Sequence, residues 1–292
     1  MTVFCLGSIN ADHVYQVPHL PAPGETLAAT GFQTGLGGKG ANQSVAAAKA
    51  GSETHHIGAV GADGAWTIDA LQGYGVGTDH VRTSEIPTGH AIINVDPEAE
   101  NAIVIFSGAN YDQSETGIAA ALSGGKPGDW ILIQNETSQQ ITAAKAARSK
   151  GVKVAYSAAP FDADAARDML PFADLLLVNE IEAAQLSQAL GVDVGDLPVA
   201  NVLITLGAKG VDLVDTETGE MISVPAFSVN PVDTTGAGDT FAGSFVSGLE
   251  QGMSDRDALI RASATSAIQV TRVGAATAIP DAAEVQAFIA DQ

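Results

Sequence analysis

Residues Val232–Phe241 read VDTTGAGDTF and lead into the apolar helical run FAGSFVSGL. Gly236, Ala237 and Gly238 are small, and small residues at a helix start let backbone N–H groups approach an anion closely. Asp239 follows them, and a carboxylate there repels an anion unless it has a task of its own. The pair makes sense where a hydroxyl loses its proton as it attacks a phosphate. The N–H groups then face the charge developing on the transferring phosphoryl group, and the carboxylate takes the proton. An ordinary helix cap accounts for one Asp but leaves the flanking glycines unexplained.

Other residues suited to chemistry lie where strands end, the place at which open α/β sheets bind ligands. GSINAD lacks the G-x-G-x-x-G fingerprint of a dinucleotide fold, which disfavours an oxidoreductase. Its Asn10 and Asp12, two apart on extended chain, face the same way and suit either sugar hydroxyls or an Asx turn. Gly35–Asn42, GLGGKGAN, is not a P-loop, because Gln33 stands at the first glycine position and Gly40 follows Lys39 where Ser or Thr belongs. Its glycines, Gly38 included, still permit close backbone approach, with Lys39 and Asn42 near one helix start. Glu136 follows DWILIQN, and Asn179, Glu180 and Glu182 follow DLLLVN. Such carboxylates suit hydroxyls or hydrated Mg²⁺, and equally a helix-start charge favoured by the dipole. Thr205, Gly207, Ala208, Lys209 and Gly210 form a Gly-rich turn fit to lie against a nucleotide.

These residues need a scaffold. TVFCLGSI, THHIGAV, DWILIQN, KVAYSA, DLLLVN and NVLITLG read as strands buried on both faces, with helices between most of them. That alternation predicts an α/β fold, an open and mainly parallel sheet flanked by helices, as a single domain over 1–292. Two segments, about 12–35 and 88–107, carry strands with no helix between them and are expected to form a small antiparallel β lid. SDRDALIRASATSAIQVTR is expected to be a helix capped by Ser254.

Of the 292 residues 46% are hydrophobic and 16% charged, which describes a folded globular chain. A net charge of −21 with 13 Lys+Arg argues against nucleic-acid binding, so an anionic ligand needs backbone donors or a metal counter-ion. The single cysteine, Cys5, suits the cytoplasm and reads as a buried strand residue. No signal peptide or spanning segment is expected. The histidines show no metal spacing, and the adjacent His55 and His56 must point to opposite faces of a strand.

Taken together, GSINADH, PAPGET, GGKGANQSVAAAKAG, NEIEA, ITLGAKG, VDTTGAGDTF and VTRVGA closely resemble, in order and nearly end to end, the ribokinase-like (PfkB) family of carbohydrate kinases. The resemblance implies that Asp239 is the catalytic base and that Gly236, Ala237 and Gly238 form the anion hole. It implies that Asn10, Asp12, Gly38, Lys39, Asn42 and Glu136 hold the sugar, with Ala91 and Ile93 as apolar lid positions over it. Asn179 and Glu182 match the family's N-x-x-E motif, linked to Mg²⁺ and phosphate, and Thr205, Gly207 and Gly210 match the ATP-side turn. A K⁺ loop is implied at Asp233, Thr235, Gln269, Arg272 and Gly274. A homodimer through the lid sheet is also implied, the alternative being that the edge strands of that sheet are self-capped.

The sequence departs from the family at Ala278, which replaces a Ser near the cation, and at Ser157-Ala158-Ala159-Pro160 after a central strand. GVDVGDLPVAN is short and lacks a helix the family usually has. The expected reaction is ATP-dependent phosphorylation of the primary hydroxyl of D-ribose. Fructose, a nucleoside or 2-keto-3-deoxygluconate are the alternatives within the family. A non-catalytic sugar-binding regulator is the rival from another class, and it has no use for the base at Asp239.

Overall fold

Runs such as WILIQ and LLLVN have apolar residues at successive positions, so they are stable only where helices cover both faces of a sheet. The computed structural model, which describes residues 1–98 and 100–292, places them there. In chain order the elements are β1 (Thr2–Leu6), β2 (Asn10–Gln16), β3 (Gly31–Gly37), α1 (Lys39–Lys49), β4 (Glu53–Gly61), α2 (Ala65–Gly73), β5 (Gly77–Ser84), β6 (Gly89–Val95) and β7 (Asn101–Phe106). There follow α3 (Glu115–Ala121), β8 (Trp130–Gln134), α4 (Gln140–Ser149), β9 (Lys153–Ser157), α5 (Ala163–Met169), β10 (Leu175–Asn179), α6 (Glu180–Leu190) and β11 (Asn201–Thr205). The last are β12 (Val211–Asp215), β13 (Met221–Val224), α7 (Ala237–Glu250), α8 (Asp255–Gln269) and α9 (Ala282–Ala290).

The main sheet has nine strands in the order β13-β12-β11-β10-β9-β8-β1-β4-β5. It is parallel from β11 to β5, and β12 and β13 close one edge as an antiparallel pair. Side chains alternate across it. Phe4, Leu6, Ile131 and Ile133 pack with residues of α3, α4, α5 and α6. Val3, Cys5, Trp130 and Leu132 pack with residues of α7 and α8 on the other face. The fold class is therefore the expected one. The Ser254 hydroxyl accepts the Asp257 N–H at 3.2 Å and caps α8, and between α6 and β11 the chain forms a 3-10 turn at Val194–Asp196 and no α-helix among the described residues. His56 is buried with its pKa pushed down to about 4 by desolvation, whereas His55 stacks on Phe4, so the two do take opposite faces.

A second sheet runs β3-β2-β6-β7. Its outer pairs are antiparallel and its central pair, β2 with β6, is parallel. The chain crosses from β2 through β3, the main sheet and α2 before it returns as β6, and a direct hairpin is the only short connection that would force antiparallel pairing.

Two close approaches bring the site together. The N-terminus of α1 lies on the end of β1, where a Cβ on either Gly7 or Gly40 would collide with the other's Cα. Helix α7 crosses α1 at Gly243, where a Cβ would strike the Gln43 carbonyl oxygen and lie 2.7 Å from the Ala46 side chain. Asp239 is one turn before Gly243 on the same face of α7, so this crossing delivers it to Asn42 and Gln43. Replacing Gly243 by Ala is expected to force the helices apart and to destabilise the fold by about 1–3 kcal/mol. Thermal unfolding checks this, and an unchanged midpoint would mean that the crossing is not tight.

Candidate active site

Gly236, the residue before α7, has a φ of 74° in the left-handed region open to glycine, and among the described residues no side chain caps the N–H groups that follow. Asp239, in the first turn, is 9% exposed. Its Oδ1 accepts the Gln43 side-chain amide at 3.1 Å and its Oδ2 accepts the Asn42 amide at 3.3 Å. Burial pushes this carboxyl above its ordinary pKa, with a further push from Glu136, while the Lys39 ammonium and the two amides pull it back. Gln43 is fixed in turn, because its Oε1 accepts Gln134 Nε2 at 2.7 Å. Gln43 and Gln134 are fully buried, and both escape a sequence reading. The one signal for Gln43 was the uncharged polar run Asn42-Gln43-Ser44 inside a helix whose other inward positions are alanine, glycine and valine.

Lys39 opens α1. Burial disfavours its charge, but Asp239, Glu136 and Glu182 outweigh that and hold its pKa above the usual value. The Glu136 Oε2 accepts the Lys39 N–H at 3.1 Å and the hydroxyl of Ser8, a further residue the sequence did not single out. Asp12 is pushed up to about 7, first by burial and then by the nearby Glu136. The register of the small sheet pairs Asn10 with Gly89, Asp12 with Ala91 and Val14 with Ile93. Alternation then puts Asn10, Asp12, Ala91 and Ile93 on one face of that sheet. Asn10 is anchored through its Oδ1 by the Asn110 amide at 2.7 Å.

A cavity of ≈ 190 Å³ joins Lys39, Gly236, Ala237, Gly238 and Asp239 to Asn179, Glu182 and Thr205. Ser157 and Ala159, from the segment that departs from the family pattern, line it too. Asn10, Asp12 and Glu136 do not line it. Gly207, Ala208, Lys209 and Gly210 turn just beyond it, and the Lys209 ammonium pairs with Glu180 at 3.1 Å on the surface. Asn179 and Glu182 form a reciprocal capping box at the start of α6: Glu182 N–H donates to Asn179 Oδ1 at 2.8 Å and Asn179 N–H to Glu182 Oε2 at 2.9 Å.

The segment expected to form a cation loop is closed by hydrogen bonds within the chain. The Thr235 and Gly274 carbonyl oxygens accept hydrogen bonds from the Gln269 amide at 2.9 and 3.2 Å, and Arg272 turns its guanidinium to Glu284. Asp233 accepts the N–H groups of Thr235 and Gly274 at 2.9 and 2.8 Å. Burial works against its charge, yet these donors hold its pKa below the ordinary range. Two of the oxygens expected to bind K⁺ are thus already satisfied by the chain itself.

This arrangement can take a proton at Asp239 beside the start of α7, next to a cavity lined by Lys39, Asn179, Glu182 and Thr205. A family model described as pfkB family carbohydrate kinase matches residues 2–282. Ribokinase of Haemophilus influenzae is 39% identical, over 99% of this chain and 98% of that one. The crystal structure of ribokinase from Thermotoga maritima superposes with a TM-score of 0.88 at 33% identity, covering 99% of each chain. Arabidopsis thaliana ribokinase complexed with ribose and ATP gives a TM-score of 0.85 at 32% identity, over 99% of this chain and 98% of that one.

Proposed function

The chain belongs to the pfkB family of carbohydrate kinases and is a phosphotransferase acting on a sugar hydroxyl, and we propose that it transfers the γ-phosphoryl of ATP to the primary hydroxyl of D-ribose. The carrying observation is Asp239, clamped by Asn42 and Gln43 beside the Gly236–Gly238 turn. Asp239 takes the proton of the attacking hydroxyl as the new O–P bond forms. The bond from Pγ to the ADP oxygen breaks, and the N–H groups of 236–238 face the charge on the transferred group. Lys39 lines the same cavity, and Asp239, Glu136 and Glu182 keep it positively charged to face the phosphate. Asn10, Asp12, Asn42 and Glu136 receive the sugar hydroxyls, with Ala91 and Ile93 as the apolar cover.

Mg²⁺ accompanies the nucleotide in this reading. Glu182 fits it, since Oε2 is used in the capping box and Oε1 makes no protein hydrogen bond among the described residues. One carboxylate completed by water suits this ion, which when bound would neutralise phosphate charge. Thr205, Gly207 and Gly210 border the nucleotide. A panel of ribose, fructose, ribonucleosides and 2-keto-3-deoxygluconate with MgATP, read as ADP release, tests the acceptor. The highest kcat/KM is expected for ribose, and a higher value for any other member would replace it.

We place the protein in the cytoplasm, where the buried free thiol of Cys5 stays reduced, with no nucleic-acid partner given its charge of −21. No helix among the described residues is long and apolar enough to cross a membrane. The homodimer is proposed through the small sheet. Ile103, Val104, Ile105 and Phe106 on its edge strand β7 are 46% to 67% exposed, an apolar edge that a monomer leaves open to aggregation. Ile105→Lys is expected to convert a dimer to a monomer in sedimentation, and a wild type that sediments as a monomer would remove this surface from the proposal.

A further inference from the structure

Gln269 ends α8, is fully buried, and reaches across to the loop before α7. Its Nε2 donates to the carbonyl oxygens of Thr235, one residue before the Gly236 cap, and of Gly274. Asp233 ties the same two residues through their N–H groups, so the loop is closed from both sides. An amide NH₂ offers two donors carrying partial positive charge, and both are spent on carbonyls that a monovalent cation would otherwise gather. The nitrogen and a cation touching both oxygens need the same space. A second feature points the same way: buried Ala278 offers a methyl where the family pattern has a hydroxyl.

We propose that the Gln269 amide replaces the monovalent cation, so that the loop leading to the 236–238 turn is held by the chain itself and the enzyme works without K⁺. Gln269 is a positioning residue in this scheme. Its Oε1 is buried without a partner among the described residues, which is the cost of aiming the nitrogen at the carbonyls. The opposite orientation of the amide would bring three oxygens together and demand a cation between them. The two orientations therefore predict opposite ion responses.

Wild type and Gln269→Glu are compared in potassium chloride and in tetramethylammonium chloride at equal ionic strength, by steady-state kinetics and by thermal unfolding without substrates. Wild type should show the same kcat and the same unfolding midpoint in both salts. Gln269→Glu has lost its donors and sets a carboxylate against the carbonyls, so its kcat should fall about tenfold without K⁺ and its midpoint should rise when K⁺ is added. If that variant does not fold, Gln269→Ala leaves the carbonyls open to the ion and should show the same K⁺ rescue. A wild type activated or thermally stabilised by K⁺ overturns the proposal, and so does a variant as indifferent to K⁺ as wild type. The kinetic arm rests on the kinase reading of the 236–238 turn. The thermal arm does not, so a failure of one reading is distinguishable from a failure of the other.

Discussion

Asp239→Asn is expected to lower kcat about 10²–10⁴-fold while leaving sugar and nucleotide binding nearly intact. Asn matches Asp in size and keeps an oxygen for either Gln43 or Asn42, but it cannot take the hydroxyl proton. ATP affinity should hold or rise slightly, because a negative charge beside the anion hole is gone. Stability provides a control. Burial raises the Asp239 pKa in the folded state, so ionising it costs stability above that raised value, and the cost disappears below the ordinary carboxylate range. The Asn variant should therefore unfold no earlier than wild type at neutral or higher pH, with the difference shrinking as pH falls. Calorimetric sugar binding alongside kcat separates lost chemistry from lost structure. Near wild-type turnover with intact binding would make Asp239 only a structural clamp between α7 and α1.

The second large effect is on sugar affinity. Asp12→Ala is expected to raise the ribose KM about 5- to 150-fold, because sugar hydroxyls left without a buried partner cost roughly 1–3 kcal/mol. The pH dependence identifies the group. With its pKa at about 7, Asp12 carries a proton below that value, and the proton competes with the hydroxyls the carboxylate would accept. In wild type the ribose KM should rise as pH falls through about 7, and Asp12→Ala should lose that inflection. A variant with unchanged KM would take Asp12 out of the sugar site and ribose out of the reading.

How much of this was legible in sequence follows from where each residue's partners lie. β1, β4 and β8–β11 were visible because parallel strands covered on both faces are rich in consecutive apolar residues, even though β4 opens with Glu53-Thr54-His55-His56. β5, GTDHVRTS, and the edge pair β12 and β13 were not, since edge strands mix polar and apolar residues. The parallel pairing of β2 with β6 depends on the whole route of the chain between them. In the site, VDTTGAGD announced itself because glycines and a carboxylate make an odd pair. Gln43 and Gln134 did not, since an amide inside a helix or strand looks like a surface residue until the partner 91 positions away is in place. Asn179 and Glu182 were seen as strand-end groups, and the capping box they form is a local hydrogen-bond pattern that the spacing alone allowed. In the loop of Asp233, Thr235, Gln269, Arg272 and Gly274 the resemblance concerned backbone carbonyls, and where the Gln269 side chain points could not be read from spacing.

The most direct test of the central claim is phosphorus NMR of the wild-type reaction with ribose and MgATP. A phosphomonoester signal is expected to grow in step with ADP, coupled to the pair of protons on the sugar's primary carbon. Inorganic phosphate growing in its place, or a phosphoester coupled to a single proton on a ring carbon, would contradict transfer from ATP to the primary hydroxyl.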